Sequence, residues 1–233
     1  MAPWAPPAPE ARRTAGDGRH RTTSAALPRL DDVSGTVGSA YSRRAAEYTD
    51  LFGSVSAAHP SDRQLVTTWA GGIDGSVIDA GCGPGHWTQF LADLGLSARG
   101  VDLVPEFIER ARAEYPGIPF EVGDLEELGC EPGAAGGILS WYSLIHHEPG
   151  SIRGPLAEFH RALRPGGTLL VGFFEGPVVE RFDHAVIPAQ RWPVAGLSAE
   201  LVAAGFEVIE SHVRKTVGER PQAAIIARRA DAA

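Results

Sequence analysis

Three aspartates and a glycine-rich turn carry the chemistry that is easiest to read in this chain. Asp79 lies near the end of the apolar run Val77-Ile78-Asp79-Ala80, and Gly81-Cys82-Gly83-Pro84-Gly85-His86-Trp87 follows at once. This pattern predicts a buried strand, a glycine hinge and a helix start. Glycine has no Cβ, so such a hinge lets backbone lie against a nucleotide-like ligand. Asp102 comes about 20 residues further on, where a carboxylate that accepts from two vicinal ribose hydroxyls belongs. Asp124, in Val122-Gly123-Asp124-Leu125, offers an acceptor for an adenine amino group. Together these residues describe a site for a nucleoside cofactor.

A dinucleotide fits this turn less well. Its fingerprint is Gly-x-Gly-x-x-Gly, and the third glycine allows close helix packing. Here the third glycine comes one residue early and His86 stands in its place. The bulk of His86 and Trp87 also suits a pyrophosphate poorly, since that group favours an open helix N-terminus.

A second chemical group lies further along, in Ser140-Trp141-Tyr142-Ser143-Leu144-Ile145-His146-His147-Glu148-Pro149. A histidine with a pKa near neutral takes a proton from a hydroxyl or an amine, so His146 is the candidate base. A purely structural role for it, hydrogen-bonded within its loop, stays open. His147 is expected to be exposed beside Glu148. The segment lacks an Asn/Asp-Pro-Pro-aromatic motif, and it also lacks a carboxylate cluster for a metal, so no metal is expected.

The elements that must position these groups alternate. Strands are expected at Ser76 to Ala80, Ala98 to Asp102, Pro119 to Val122, Gly137 to Tyr142 and Thr168 to Phe173. Helices are expected at Trp87 to Leu94, Pro105 to Glu114, Ile152 to Leu163 and Ser198 to Ala204, with Gly205 as the C′ glycine and a helical turn at Leu125 to Leu128. Phe206 to Val213 and Ala223 to Ala227 read as a final antiparallel pair. The fold class is therefore α/β, with a seven-stranded Rossmann-like sheet. That sheet is mostly parallel with an antiparallel C-terminal strand, and helices cover both faces. Ahead of it, residues 1–35 read as a disordered tail, rich in Ala, Pro, Arg and Thr. Residues 36–233 read as one domain. Within it, 36–72 form a helical lid carrying Tyr41 and Tyr48 on one helix face, with Ser61 capping the second helix. Residues 174–196 form an irregular insert.

Taken in order, the motifs resemble those of class I S-adenosylmethionine-dependent methyltransferases. Asp79-Ala80-Gly81-Cys82-Gly83-Pro84-Gly85 resembles the family's first motif, Gly100-Val101-Asp102 the second and Gly123-Asp124-Leu125 the third. Leu163-Arg164-Pro165-Gly166-Gly167-Thr168 resembles the turn into the fifth strand, and Leu201-Val202-Ala203-Ala204-Gly205-Phe206 the entry to the sixth. An acidic residue commonly precedes strand four in that family, whereas this chain has Gly136 and Gly137.

The resemblance implies S-adenosylmethionine as cofactor and S-adenosylhomocysteine as product. It assigns the cofactor to Tyr41, to the loop residues Asp79, Ala80, Gly81, Cys82, Gly83 and Gly85, and to Asp102, Leu103, Asp124, Leu125, Tyr142 and Ser143. It implies His146 and Tyr142 as catalytic residues. It gives the acceptor to Tyr48, Trp141, His146, Phe174 and Arg191. The expected activity is in-line methyl transfer to an O, N or C nucleophile of a small metabolite. The alternative is a protein of the same fold that binds the cofactor without methyl transfer.

Composition excludes other classes. The chain has 233 residues and a net charge of −8. This argues against a nucleic-acid binder, which needs a basic face. The two cysteines, Cys82 and Cys130, form no metal or disulfide spacing, which with the lack of an apolar leader predicts a cytoplasmic protein. No run reaches the ~20 apolar residues of a membrane helix. The sequence leaves the oligomeric state open.

Overall fold

The computed structural model describes residues 30–230. Strands β1 (Ser76–Ala80), β2 (Ser97–Asp102), β3 (Phe120–Val122), β4 (Ala135–Trp141) and β5 (Leu163–Glu175) alternate with helices α4 (His86–Asp93), α5 (Pro105–Glu114) and α6 (Arg153–Ala162). Helix α7 (Val194–Ala203) precedes β8 (Phe206–Arg214) and β9 (Gln222–Arg229). The central order is β3-β2-β1-β4-β5, all parallel. Beyond β5, β9 pairs antiparallel with β5 and β8 with β9. The expected mostly parallel α/β sheet with an antiparallel C-terminal pair is the one found.

Its faces are covered on both sides. On one face Ile138, Leu169 and Ile225 pack against Leu156 and Phe159 of α6 and Leu197 and Leu201 of α7. On the other, Leu139, Leu170 and Val77 pack against Trp87 and Leu91 of α4 and Val66 and Trp69 of α3 (Pro60–Ala70). Burying each large side chain of this kind contributes about 1.5–3 kcal/mol. That contribution fixes β1 and β4 rigidly, so the loops at their carboxyl ends start from fixed points.

The sheet has nine strands rather than seven. The extra two form a hairpin, β6 (Glu180–Phe182) and β7 (Ala189–Trp192), inside the stretch expected to be irregular. β7 adds to the far end of β5 through Phe174↔Arg191 and Glu175↔Trp192. These strands have only 3 and 4 residues, too few for a visible alternation.

Other boundaries shift for local reasons. Tyr41 and Tyr48 lie on two helices, α1 (Leu30–Ser42) and α2 (Ala45–Phe52), because the chain breaks at Arg44 with φ −121° and ψ 13°. Helix α1 reaches into the 1–35 stretch assigned to the tail, and the rest of that stretch, residues 1–29, lies outside the described residues. Helix α3 is capped by His59, whose Nδ1 accepts from the Ser61 amide, and not by Ser61 itself. Helix α7 starts after Pro193, ahead of the expected Ser198. The expected helical turn at Leu125 to Leu128 is a tight turn instead, in which Asp124 Oδ1 accepts from the Glu126 amide at 2.9 Å. The Gly136-Gly137 pair has a steric cause: a Cβ on Gly136 would sit 2.0 Å from the Asp74 carbonyl oxygen, and one on Gly137 would sit 2.6 Å from Ile73.

Candidate functional site

The site lies beyond the carboxyl ends of β1, β2, β3 and β4, where an open α/β sheet binds its ligand. The chain leaves β1 through Gly81, Gly83 and Gly85, with φ values of 80°, 53° and 87°. The amides of Gly81 and Cys82 both donate to the Val101 carbonyl, at 2.8 and 3.0 Å. Asp102, at the end of β2, clamps the turn from the other side. Its Oδ2 accepts from the Gly83 amide at 2.8 Å and its Oδ1 from the Val104 amide at 2.9 Å. Burial pushes the Asp102 carboxyl up, and these amides oppose that shift.

The three glycines do different things. A Cβ on Gly81 would lie 2.2 Å from Ser143 Cβ, so only glycine lets the β1 and β4 loops touch. A Cβ on Gly83 would meet no protein atom within 4 Å, although Gly83 lines the cavity. The space beside it is therefore open to a ligand. Gly85 differs from both: its Cβ would clash with Phe120 and Ala111 at 2.8 and 2.9 Å, and it lines no cavity wall. Gly85 thus lets α4 pack closely on α5 and β3. Ala80 is fully buried in the core below the turn.

Asp79 is buried and accepts from Thr88 Oγ1 at 2.7 Å. Burial raises its pKa to about 7, and the charge on Asp102 adds to the rise. Neither Asp79 nor Asp102 forms an ion pair among the described residues. Two buried carboxyls beside an open glycine wall fit a ligand that brings a cation and hydroxyl donors. Leu103, Asp124, Leu125 and Ser143 line the same cavity. S-adenosylmethionine, with its ammonium, sulfonium and ribose, meets these requirements.

Tyr41 and His146 close this cavity from above. Tyr41 Oη lies 2.9 Å from His146 Nε2, and His146 Nδ1 lies 3.1 Å from the Pro188 carbonyl oxygen. A carbonyl only accepts, so Nδ1 carries the ring proton and Nε2 accepts from the tyrosine hydroxyl. Burial lowers the His146 pKa to about 4, with His184 and His147 adding to the fall and the Pro188 bond opposing it. The imidazole is thus neutral at pH 7. Burial pushes the Tyr41 hydroxyl well up and the Tyr48 hydroxyl up to about 12. The two tyrosine rings meet edge to face with centroids 5.5 Å apart. His147 is half-buried on the cavity wall, which corrects its expected exposure; the β3 and β4 loops enclose it.

A second cavity of about 490 Å³ continues from the first past Tyr41, Tyr48, Trp141 and Tyr142. Phe174 and His184 wall it, with ring centroids 5.9 Å apart, and Tyr142 packs on Phe174 at 5.1 Å. Tyr142 is the one non-glycine among the described residues with positive φ, at 59°. Such strain costs on the order of 1 kcal/mol and persists only where neighbours hold it. The hold is visible: Tyr142 Oη donates to Gln222 Oε1 at 2.7 Å, Arg214 donates to the same oxygen, and Arg214 pairs with Asp62 at 3.1 Å. Burial pushes the Tyr142 phenol far up, so it stays protonated.

The structure therefore brings together most of the residues assigned from sequence. Tyr41, Tyr48, Trp141 and Tyr142 line both cavities, and Asp79, Cys82 and Phe174 line the second. Arg191 is not among the residues lining these two cavities: it pairs with Glu180 across the β6–β7 hairpin. Cys82 is buried, and its thiol is pushed well up by burial and by the charges of Asp102 and Asp79. Asp62, Gln222 and Pro188 escaped the sequence reading, since each sits outside every motif.

Three comparisons place the chain among known proteins. Residues 77–167 match a family model described as a methyltransferase domain. The malonyl-[acyl-carrier protein] O-methyltransferase of Salmonella typhimurium is 28% identical over 133 residues, 57% of this chain and 51% of that protein. The trans-aconitate 2-methyltransferase of Methylobacterium nodulans is 39% identical over 101 residues, 41% of this chain and 36% of that protein. The chain thus spans about half or less of the length of these curated relatives. Among solved structures, a 1,6-didemethyltoxoflavin-N1-methyltransferase of Burkholderia thailandensis, with S-adenosylhomocysteine bound, superposes with a TM-score of 0.75. It is 23% identical, and the match covers 90% of this chain and 94% of that one, a likeness of fold. No helix among the described residues is long and apolar enough to cross a membrane.

Proposed function

We propose that the chain, whose residues 77–167 match a methyltransferase-domain model, is a class I S-adenosylmethionine-dependent methyltransferase that binds S-adenosylmethionine and transfers its methyl group to a small-molecule acceptor. One arrangement carries the reading: Gly83 opens a cavity wall between two buried, unpaired carboxyls, Asp79 and Asp102. Asp102 holds the ribose hydroxyls, with Leu103 and Leu125 beside the adenine and Asp124 on its amino group. Asp79 faces the cationic end, and Gly81 and Gly83 present backbone to the methionine portion. When bound, that cofactor supplies a methyl group on a sulfonium sulfur, which keeps the carbon–sulfur electron pair as the acceptor's lone pair makes the new bond.

The chain's own residues do the rest. Tyr41 and Tyr48 cover the cavity and exclude water, which favours attack on a cation. Tyr142 and Ser143, held by Gln222 and Ser140, shape the wall beside the reacting groups. His146 is the base. Its Nδ1 proton is fixed on Pro188, so Nε2 is the site that takes a proton. Tyr41 occupies Nε2, so the proton travels by relay: Tyr41 passes its own proton to Nε2 and takes the acceptor's. Phe174 and Trp141 line the acceptor side.

Two matched relatives are named for acceptors that carry carboxyl groups, malonyl-acyl carrier protein and trans-aconitate. The fold neighbour is named as an N1-methyltransferase. The test is transfer of labelled methyl from S-adenosylmethionine across a panel of acids, phenols, N-heterocycles and amines. Labelled product from at least one class supports the proposal; cofactor binding with no transfer to any of them contradicts it.

A further inference from the structure

We infer that the acceptor is an uncharged aromatic or heteroaromatic molecule bearing an acidic N–H or O–H, seated against Phe174, Tyr142 and His184. The inference rests on the methyltransferase reading above and names the substrate class of that site.

Its first ground is shape and surface. The second cavity is walled on its acceptor side by aromatic rings in edge-to-face and tilted contact. Phe174 touches Tyr142, Phe182 and His184 with centroids 5.1, 5.2 and 5.9 Å apart, and His184 lies 5.6 Å from His146. Ring edges and faces arranged in this way give a further ring offset or edge-to-face contacts beyond its area burial, a gain an aliphatic chain does not have.

The second ground is charge. Arg214 is the only arginine or lysine that lines either cavity among the described residues. Its terminal nitrogens pair with the Asp62 and Glu219 carboxylates and donate to Gln222, while its Nε is buried without a hydrogen-bond partner. His146 and His184 are both held at a pKa of about 4 by burial, hence neutral. An acceptor carboxylate or phosphate would meet only a guanidinium whose charge two carboxylates, Asp62 and Glu219, already balance, so its own desolvation would go largely uncompensated.

The third ground is the base. A neutral imidazole whose proton is pinned to Pro188 offers one lone pair, and so weak a base takes a proton more readily the more acidic that proton is. A phenol, an azole or a lactam N–H is therefore favoured over an aliphatic alcohol. The acceptor's proton passes through Tyr41 to His146 Nε2, leaving an imidazolium whose Nδ1–H stays on Pro188.

The test uses the full chain saturated with S-adenosylhomocysteine. Four probes are titrated by calorimetry: 2-naphthol, 4-hydroxyquinoline, malonate and trans-aconitate. The expected result is binding of at least one aromatic probe, at least tenfold tighter than either carboxylate. Phe174→Leu, which keeps volume and removes the ring, is expected to weaken that binding at least fivefold, and Phe174→Ala more. Tighter binding of malonate or trans-aconitate overturns the inference, as does failure of both aromatic probes to bind. So does aromatic binding that is indifferent to Phe174→Leu. Failure of S-adenosylhomocysteine itself to bind would sink the underlying reading instead, so the two failures are separable.

Discussion

The two halves of the cavity are assembled in different ways. The donor half is built from three short loops, each leaving its own strand, and its defining contacts are local. Asp102 reaches Gly83 across 19 residues, and Asp79 reaches Thr88 across 9. The acceptor half is built from contacts between distant segments: Tyr41 to His146 spans 105 residues, Tyr142 to Gln222 spans 80 and Arg214 to Asp62 spans 152. A local half tolerates change elsewhere in the chain, because its parts are carried by the central strands. A composite half can be rebuilt by altering any one of its segments. This is a physical reason for one fold to hold one donor and many acceptors.

The largest expected effect tests whether the halves are functionally separate. His146→Ala is expected to lower the rate of methyl transfer by about 10²–10⁴-fold, the usual worth of general-base catalysis, while S-adenosylhomocysteine affinity stays within about threefold. Tyr41→Phe should fall between it and the parent protein. Steady-state rates beside calorimetry check both. Equal loss of rate and cofactor affinity would merge the halves into one.

Within the donor half, Gly81 and Gly83 should separate folding from binding. Gly81→Ala places a Cβ against Ser143 at positive φ, and is expected to destabilise the fold by about 3 kcal/mol. Gly83→Ala meets no protein atom and should cost only about 1 kcal/mol of stability. It should nevertheless weaken S-adenosylhomocysteine about tenfold or more by filling ligand space. Chemical denaturation and calorimetry on both variants decide this.

A pH-dependent effect concerns Asp79. Its pKa rises from 3.8 to about 7 in the fold, so the folded state holds a proton that the unfolded chain releases. The stability this gives is complete below pH ~4 and is lost as pH rises toward ~7. Asp79→Asn should flatten that slope and stabilise the ligand-free protein at pH 8 by up to about 4 kcal/mol. It should also weaken binding of the cationic cofactor. Thermal unfolding from pH 4 to 8 follows the first effect.

The smallest effect belongs to Arg191. Its pair with Glu180 is part-exposed, so Arg191→Ala should cost under about 1 kcal/mol and leave cofactor affinity unchanged. A clear loss of acceptor binding in this variant would return Arg191 to the site.

Legibility in the sequence follows the same division. The strand ends, glycine turn and acidic residues of the donor half are readable because each lies within a few residues of the element that positions it. Even there, a glycine's task depends on what its missing Cβ would strike, and so Gly85 and Ala80 read as cofactor residues although Phe120, Ala111 and the core surround them. The acceptor half was legible in residue type alone. His146 and Phe174 stood out, but nothing near them in the chain points to Pro188, Gln222 or Asp62. The β6–β7 hairpin was missed because strands of 3 and 4 residues carry too little periodicity. The break between α1 and α2 was missed because Arg43-Arg44 is as helical in propensity as its neighbours.

The most direct test of the account is a calorimetric titration of the protein with S-adenosylhomocysteine, repeated on Asp102→Ala. The account predicts one molecule bound per chain, and an affinity roughly 100-fold weaker in the variant, which loses a charged acceptor and the clamp on Gly83. No binding to the parent protein, or equal binding to both proteins, would contradict it.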